Sequence, residues 1–438
     1  MTMTSDEAAK CHNGSLSRSY ELDGRMIVKR LATPSGVSVT RRRSSSPSDA
    51  DLRSGWLHSF LRGERTQLDT PALPPVRTAE LFCGPGGLAL GFGEACRELG
   101  SRLESEAAVD QDAGAVMVYA SNHRTKVRTV QSASALVDHS IRGAGNSARY
   151  SYEPEIVHPD WLPLVGKIDA VLAGPPCQGH SNLNNHTRRV DRRNDLYLTV
   201  PATAVALGAD IVVIENVPAV VHDRSQVVAT TERLLLDNGY SVTKGVLSAV
   251  KMGWPQTRQR FFMVGRRSAP PIDLADVQEA LVDESRSVLW AIEDLASRPF
   301  DDRLHLDVEL SAENRRRIDY LFDHDLHDLP NSERPECHQD GTTYNSVYGR
   351  LYGDRPAPTI TTGFLTPGRG RYIHPEERRT LTPWEAARLQ GFPDTYDFFP
   401  DPKDMPSKLK LTKWIGDAVP MPLGYAAGIS ALGRGWPG

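Results

Sequence analysis

The amino-acid sequence predicts an α/β domain built on a mostly parallel, doubly wound sheet. Apolar runs of strand length alternate along the chain with segments whose apolar residues recur at helical spacing, such as 88–99 and 197–207. Strands and helices in this order form crossover connections, which pair the strands in parallel and place helices on both faces of the sheet. The apolar runs end near Phe82, Val109, Val130, Ala173 and Val217.

Changes in composition divide the chain into four parts. Residues 1–75 are rich in Ser, Arg, Gly and Pro and show little apolar periodicity, which predicts a flexible N-terminal extension. The α/β pattern covers residues 76–267. It breaks at an acidic, leucine-rich stretch, 268–345, which is predicted to be an inserted second domain. Residues 346–438 return to signals typical of ordered structure.

The composition excludes several classes of protein. The net charge of −4 argues against an architectural nucleic-acid binder but allows a local basic cleft. The 5 cysteines form no CxxC pair, so that neither a disulfide scaffold nor a cysteine zinc site is expected. No apolar run has the roughly 18 residues that a membrane-spanning helix needs, and the N-terminus lacks the layout of a secretory signal. The cytoplasm is the expected compartment.

A strand that runs into a glycine-rich turn and then a helix predicts a site for an adenosine-type ligand. Glycines allow close backbone approach, and the N-terminus of the next helix favours a carboxylate or a phosphate. Asp110 ends the following strand, where its carboxylate can accept both ribose hydroxyls. The GxGG spacing from Gly84 to Gly87 differs from the dinucleotide pattern GxGxxG and favours S-adenosylmethionine over NAD. Many glycine turns merely close a strand–helix connection, and the position of Asp110 favours the ligand.

Four polar residues lie close to the ends of other predicted strands. Cys177 lies on a turn stiffened by two prolines after a buried strand, at the sheet edge where open α/β folds bind ligands. A lone cysteine is more often buried and structural, but this position favours an exposed nucleophile. Glu215 ends another apolar strand, where a carboxylate is costly without a function or a partner. Arg258 and Arg260 share one face of an extended segment, and their combination with Cys177 and Glu215 favours a catalytic site over a solvated strand end.

With these motifs the sequence resembles the DNA (cytosine-5)-methyltransferases. The resemblance covers 77–267 and 346–428 and implies a Rossmann-like, S-adenosylmethionine-dependent methyltransferase fold. It implies that 76–267 is the catalytic and cofactor-binding domain, that 268–345 is a small target-recognition domain, and that 346–438 completes both. The eight blocks that carry it, in family order, are FCGPGG from Phe82, PPCQ from Pro175, ENV from Glu215, NGY from Asn238, QTRQR from Gln256, RLYGDRPAPTITT from Arg350, RLQGFP from Arg388 and GDAVP from Gly416.

The resemblance implies transfer of a methyl group from S-adenosylmethionine to C5 of a cytosine in DNA through a covalent intermediate. Cys177 matches the nucleophile that adds to C6, and Glu215 matches the residue that hydrogen-bonds N3 and the exocyclic amine. Arg260 matches the side chain that holds O2, with Arg258 as its neighbour. No metal is needed. The target base has to leave the double helix, at a cost of about a few kcal/mol.

The resemblance also implies contacts with the cofactor and with DNA. Phe82 packs on the adenine, Asp110 binds the ribose and Gln111 lies against the adenine ring. The residues expected at the methionine end are Gly84, Pro85, Gly87, Leu196 and Asp417. The residues expected to meet DNA are the basic cluster Arg188, Arg189, Arg192 and Arg193, together with Arg369 and Arg371 of the glycine-rich segment 363–372. A solvated loop or simple phosphate anchoring is the alternative for these arginines.

The chain departs from the family pattern at two positions near the cofactor. Gln131 and Ser132 stand where an acidic residue usually meets the adenine amine, and Asp417 replaces an asparagine.

Double-stranded DNA is the expected partner, and a cognate restriction endonuclease is a candidate partner. The chain is expected in the cytoplasm, and with the nucleoid when it is bound to DNA. Two alternatives remain at this point, an RNA cytosine-5 methyltransferase and a catalytically silent DNA-binding regulator. The intact set of Cys177, Glu215, Arg258 and Arg260 argues against the second.

Overall fold

The structure, a computed structural model, describes residues 16–43, 51–64, 73–176, 195–296, 303–305, 309–339 and 346–436. The chain divides into two compact units. The first comprises 1–248, 259–282 and 421–438, and the second comprises 249–258 and 283–420. Among the described residues, no helix combines the length and the apolar character needed to cross a bilayer.

The N-terminal part of the first unit contains a three-stranded antiparallel sheet and a helix. They are β1 (Ser17–Asp23), β2 (Met26–Thr33), β3 (Gly36–Arg43) and α1 (Leu52–Leu61). The prediction of a flexible extension is therefore wrong for these residues. Although this part of the sequence is rich in Ser and Arg, it has a small apolar core. The strands contribute Ile27 and Leu31 to this core and the helix contributes Trp56 and Phe60, and all four are buried.

A seven-stranded sheet forms the centre of the first unit, in the order β13-β14-β12-β11-β4-β5-β6. The five strands from β12 to β6 are parallel, and β14 runs antiparallel to both of its neighbours, which confirms the predicted mostly parallel sheet. The strands after β3 are β4 (Pro75–Leu81), β5 (Arg102–Asp110), β6 (Val127–Val130), β7 (Val137–Asp138), β8 (Ile141–Arg142), β9 (Arg149–Tyr150), β10 (Glu155–Ile156), β11 (Ala170–Ala173), β12 (Ile211–Asn216), β13 (Ser241–Ser248) and β14 (Gln259–Arg266).

Helices follow the strands of this sheet as the sequence predicts. The segments 88–99 and 197–207 are confirmed as the helices α2 and α4. The helices after α1 are α2 (Gly87–Glu98), α3 (Ala113–His123), α4 (Asp195–Leu207), α5 (Val227–Asp237), α6 (Leu274–Ala280), α7 (Val288–Ile292), α8 (Ala312–Asp323), α9 (Pro383–Gln390), α10 (Lys408–Asp417) and α11 (Met421–Leu432).

Helices α2 and α11 pack backbone to backbone. A Cβ atom at Gly91 would overlap the carbonyl oxygen of Met421, and one at Gly424 would lie 2.9 Å from the carbonyl oxygen of Leu88. Any side chain at these glycines would push the two helices apart. The helix near the C-terminus is therefore fixed against the helix that follows the glycine turn.

The second unit contains α7 to α10 and is held together by buried polar side chains. The Arg388 guanidinium pairs with Asp294 and, at 2.7 Å, with Asp394. The Gln256 amide donates to the carbonyl oxygen of Leu389 at 2.8 Å and to Gln390 Oε1 at 3.1 Å. The limits of this unit differ from the predicted insertion 268–345, because α6 packs with β13 in the first unit.

Candidate functional site

Five parallel strands of the central sheet end at one edge. Phe82, Asp110, Gln131, Gly174 and Glu215 lie at or just after the ends of β4, β5, β6, β11 and β12. Neighbouring strands are about 4.8 Å apart, so that these positions form a row along the edge. The structure therefore places Phe82 and Asp110, which the sequence assigned to the cofactor, on the same sheet edge as Glu215, which it assigned to the base. In this row the turn after β11 lies between Glu215 and the glycine turn after β4.

The glycine turn after β4 has an unusual backbone. Phe82, Gly84 and Gly86 have φ values of +55°, +49° and +96°. The left-handed conformation costs a residue with a side chain roughly 1–2 kcal/mol, so that Phe82 is held there by its surroundings. The Cys83 N–H donates to the Val109 carbonyl oxygen at 3.1 Å and ties the turn to the neighbouring strand. Apart from Gly84 itself and its two chain neighbours, no atom of the described residues lies within 4 Å of the Cβ position of Gly84, which leaves this face of the turn open.

Asp110 fixes the turn in addition to its predicted role. Its Oδ2 accepts the Gly84 N–H at 3.0 Å, and its Oδ1 accepts the Asp112 N–H at 2.9 Å. A carboxylate has about four acceptor sites, which leaves two for the hydroxyls of a ribose. Asp112 in turn caps α3 by accepting the Gly114 N–H at 3.0 Å. The predicted ribose-binding residue is thus also a structural residue of the cofactor turn.

A buried polar chain that the sequence did not reveal supports the turn from α3. His123 Nε2 lies 3.2 Å from the Gly86 carbonyl oxygen, and the His123 ring packs against the ring of Tyr119. The Tyr119 hydroxyl donates to Glu80 Oε2 at 3.0 Å, and Glu80 is buried on β4. No motif marks these residues. The spacing of four residues between Tyr119 and His123 along α3 is the signal that could have identified this pair.

The Glu80 carboxyl group lies in surroundings that favour its neutral form. Burial raises the pKa of Glu80, the hydrogen bond from Tyr119 lowers it, and the charge of Asp110 raises it, which together bring the pKa to about 8. Burial also raises the pKa of the Cys83 thiol well above its ordinary value. Cys83 is therefore a structural cysteine, and the Glu80 carboxyl group is largely protonated at neutral pH.

Stability is expected to fall as the pH rises because of Glu80. In the unfolded chain Glu80 has its ordinary pKa of 4.5, so that the raised pKa of about 8 in the folded state stabilises the fold fully below pH 4.5. This contribution is lost between pH 4.5 and 8, by up to about 1.4 kcal/mol for each pH unit. Glu80→Gln should remove the dependence. Urea unfolding of the wild type and the variant at pH 5.5, 7.0 and 8.5 gives the free energy of unfolding at each pH. An equal change of this free energy with pH in the two proteins would contradict the prediction.

A hydrogen-bond donor without a partner among the described residues lies at the end of β6, beside Asp110. Gln131 follows Val130, which is paired with Asp110, and its buried Nε2 has no hydrogen-bond partner among the described residues. The Ser132 hydroxyl lies 2.8 Å from the Ser134 hydroxyl. A glutamine amide can bond an adenine edge through both its nitrogen and its oxygen. The residues at the ends of β4, β5 and β6 therefore fit an adenosine-containing ligand.

Glu215 and Arg260 form an ion pair at the same edge. Arg260 Nε lies 2.8 Å from Glu215 Oε1, and both side chains are largely buried. Arg260 reaches this edge because β14 runs antiparallel to β12. A Cβ at Gly174 would lie 3.4 Å from Glu215 Oε2, so that a side chain there would occupy the space beside the carboxylate. The pair offers one acceptor group and one donor group to a flat, polar ring.

Asn216 holds the described residues that come just before Cys177. The Asn216 amide donates to the Pro175 carbonyl oxygen at 3.2 Å, and its Oδ1 accepts the Val217 N–H at 2.8 Å. Leu196 lies partly buried in the first turn of α4. The predicted residues Cys177, Arg188, Arg189, Arg192 and Arg193 lie outside the described residues.

Arg258 and Asp417 have structural tasks in the second unit, which differ from their predicted roles. The buried Arg258 guanidinium donates to the carbonyl oxygens of Ile360, at 2.7 Å, and Gly416, at 3.0 Å. It thus ties two segments of this unit together. Lys413 Nζ lies 2.5 Å from Asp417 Oδ2, and both side chains are more than half exposed. This pairing gives no support to Asp417 as a cofactor contact.

Only one of the two predicted arginines of segment 363–372 presents its guanidinium to solvent. Arg371 donates to the carbonyl oxygens of His327, at 2.9 Å, and Arg350, at 2.8 Å, and pairs with Asp328 at 2.6 Å. Arg369 is exposed and lays its aliphatic part over Gly363, and its guanidinium has no partner within the described part of the chain. The structure therefore separates Arg369, which is available to a ligand, from Arg371, which is not.

The chain is similar in sequence to known DNA methylases. The profile of the C-5 cytosine-specific DNA methylases matches residues 76–430. The chain is 39% identical over 423 residues to the Type II methyltransferase M1.BsuMI of Bacillus subtilis (strain 168), covering 94% of this chain and 95% of that protein. It is 30% identical over 356 residues to the Type II methylase M.HgiDII of Herpetosiphon aurantiacus, covering 79% and 92%.

A solved structure of similar fold is an Escherichia coli prophage protein assigned as a DNA modification methyltransferase. The two chains share 20% identity with a TM-score of 0.50, over 81% of this chain and 98% of that one. At this level of identity the likeness concerns the fold.

Proposed function

Since the chain belongs to the C-5 cytosine-specific DNA methylase family and transfers a methyl group from S-adenosylmethionine to C5 of cytosine in DNA, we propose a role in this reaction for each residue of the site. Membership in this family decides between the alternatives left by the sequence, because DNA is the substrate and the chain is an enzyme. The observation that carries the proposal is the Glu215–Arg260 pair, which lies at the sheet edge one strand away from the end of β11, the strand that precedes Cys177 in the sequence.

Cys177 is the proposed nucleophile. Its thiolate adds to C6 of the flipped-out cytosine, and the electron pair of the C5–C6 bond becomes available at C5. Glu215 stabilises this state by hydrogen bonding N3 and the exocyclic amine, and Arg260 holds O2. S-adenosylmethionine supplies the electrophilic methyl group. Loss of the C5 proton then lets the C6–S bond break, which returns the thiolate of Cys177.

The cofactor is proposed to lie along the ends of β4, β5 and β6. Phe82 and Gln111 contact the adenine, Gln131 bonds its polar edge, and Asp110 accepts the ribose hydroxyls. The open face of the glycine turn favours this placement, because it leaves space where a side chain would stand. The methionine end is assigned to Gly84, Pro85, Gly87 and Leu196.

Asp110→Ala is expected to weaken S-adenosylmethionine binding about ten- to hundredfold. The variant loses charge-assisted hydrogen bonds worth about 1.5–3 kcal/mol, and it also frees the Gly84 N–H. Titration calorimetry measures the affinity, with Asp138→Ala as a control, because Asp138 lies on β7, which is not a strand of the seven-stranded sheet. Unchanged affinity for the cofactor would show that it binds elsewhere.

Arg369 is proposed to contact DNA. Arginine can pair with a guanine through two hydrogen bonds, and loss of such a contact costs about 1–3 kcal/mol of discrimination. Arg369→Ala should leave stability within about 0.5 kcal/mol, because its guanidinium has no partner in the described chain. Sequencing of methylated sites then separates two results. Relaxed context at one base indicates direct reading, and a uniformly lower rate indicates a phosphate contact; an unchanged rate and context would remove Arg369 from the interface.

Arg371→Ala is the matched comparison. This variant should lose stability, because three acceptors of the second unit lose their donor. The segments 268–345 and 363–372 together are proposed to carry target recognition.

The similarity to Type II methyltransferases leads us to propose that the chain is the modification enzyme of a restriction–modification system, with a cognate endonuclease as its partner. Such an enzyme works in the cytoplasm on nucleoid DNA. Bisulfite sequencing of plasmid DNA after expression gives the methylated sequence context. Resistance of that plasmid to an endonuclease encoded beside the gene would support the pairing, and absence of a linked endonuclease would favour an orphan enzyme.

A further inference from the structure

The N-terminal module, defined as β1–β3 and α1, lies outside the family match at 76–430. It carries two cations that are almost completely buried, because Lys29 is 3% exposed and Arg42 is 8% exposed. Such cations are found inside proteins when they are paired. The partners of these two identify what the module contacts.

Lys29 pairs with the last residue of α2. Its Nζ lies 2.6 Å from Glu98 Oε2 and 3.0 Å from the Tyr425 hydroxyl, which itself donates to Glu98. The Lys29 Nζ also lies 4.8 Å from the centre of the Tyr425 ring. One buried cluster thus joins the module to α2 and to α11.

Arg42 pairs with Glu94, one helical turn before Glu98. Its Nη2 lies 2.5 Å from Glu94 Oε2, and its guanidinium lies 4.4 Å from the centre of the Trp56 ring of α1. Glu94 also pairs with Arg97 of its own helix. Glu94 and Glu98 are 6% and 4% exposed, so that both carboxylates depend on cations for compensation.

These contacts act on the helix that begins at the glycine turn. Helix α2 has 12 residues, or about 18 Å at the helical rise of 1.5 Å for each residue, and moves as one rod. The glycine contact with α11 leaves α2 no space to move in that direction. Loss of the compensating charge at Glu94 or Glu98 is therefore expected to tilt α2, and such a tilt would displace Gly87 and the turn.

We propose that the N-terminal module positions α2 for cofactor binding, with Lys29 and Arg42 as positioning residues. This rests on the proposed placement of S-adenosylmethionine at the glycine turn. The module is then a part of the cofactor-binding unit that the family match does not include.

The test is Lys29→Met in the full-length chain. The KM for S-adenosylmethionine should rise at least tenfold, while kcat at saturating cofactor and the KM for DNA stay within about twofold. A module that only supports folding would instead lower the active fraction, and thus kcat, at unchanged KM. Lys126→Met is the control, because Lys126 forms an exposed pair with Glu104 and Glu106 in the same unit.

Rescue distinguishes positioning from general damage. In Lys29→Met/Glu98→Gln the buried charge is gone and the glutamine can still accept from Tyr425, so that the KM should return to within about threefold of the wild type. Lys29→Arg, which keeps the charge, should lie between the wild type and Lys29→Met. If Lys29→Met does not fold, Lys29→Gln and Arg42→Lys give the same readout with smaller changes.

Asp110→Ala, measured in parallel, separates the two proposals. A wild-type KM in Lys29→Met, Lys29→Gln and Arg42→Lys, together with a raised KM in Asp110→Ala, overturns the positioning role and leaves the cofactor site in place. A wild-type KM in Asp110→Ala overturns the placement of the cofactor itself.

Discussion

Cys177→Ala is expected to abolish methyl transfer and to leave S-adenosylmethionine binding nearly unchanged. The C5 position of cytosine is a poor nucleophile until a thiolate has added to C6, and alanine cannot add. The cofactor contacts are assigned to the ends of β4, β5 and β6, which do not include this residue. Incorporation of tritiated methyl groups measures the first effect, and titration calorimetry measures the second.

Covalent capture gives an independent test of the same residue. An oligonucleotide with 5-fluorocytosine at the target position should trap the wild-type enzyme, because fluorine cannot leave C5 as a proton does. Cys337→Ala should be trapped like the wild type, since Cys337 is exposed and belongs to the second unit. Methylation by Cys177→Ala at the wild-type rate, or trapping that does not need Cys177, would overturn the assignment of the nucleophile.

Glu215→Gln is expected to lower kcat by about a hundred- to ten-thousandfold, with little change in the KM for DNA. The glutamine amide can still bond N3 and the exocyclic amine of the bound base, but it has no acidic proton to give as the thiolate adds. It also leaves Arg260 without the carboxylate that it contacts at 2.8 Å. Single-turnover methylation at saturating DNA measures the chemical step.

Glu232→Gln is a suitable control for Glu215→Gln, because Glu232 pairs with Lys244 in the same unit but away from the strand ends. Its kcat should equal that of the wild type. A fall in affinity for DNA at unchanged kcat in Glu215→Gln would mean that the carboxylate binds the base without assisting the reaction.

The sequence predicts the strand-end row well because two physical rules act together. Strands of a parallel sheet are buried on both faces and are therefore visible as apolar runs, and their carboxyl ends converge on one edge. A polar residue at the end of such a run, as at Asp110 and Glu215, is consequently placed at the site by its position alone. The antiparallel β14 brings Arg260 to the same edge, which its spacing from Arg258 does not reveal.

Residues whose partners are main-chain atoms of distant segments escaped prediction. Arg258 and Arg371 look like free cations in the sequence, but their partners are carbonyl oxygens that only the folded chain brings near. The N-terminal module was missed because few apolar residues suffice for its small core, and because charged residues that usually face solvent are buried in it as ion pairs. Sequence patterns show which residues are polar, but not which of them find a hydrogen-bond or ion-pair partner in the folded protein.

The contact between α2 and α11 has a consequence for biosynthesis. Gly91 and Gly424 meet backbone to backbone although about three quarters of the chain lies between them. During translation α2 can pack on β5 and β11, but its contact with α11 cannot form until α11 has left the ribosome. Contacts between such distant segments slow folding and leave apolar surface exposed in the meantime. Nascent chains that lack α11 should therefore be clients of chaperones.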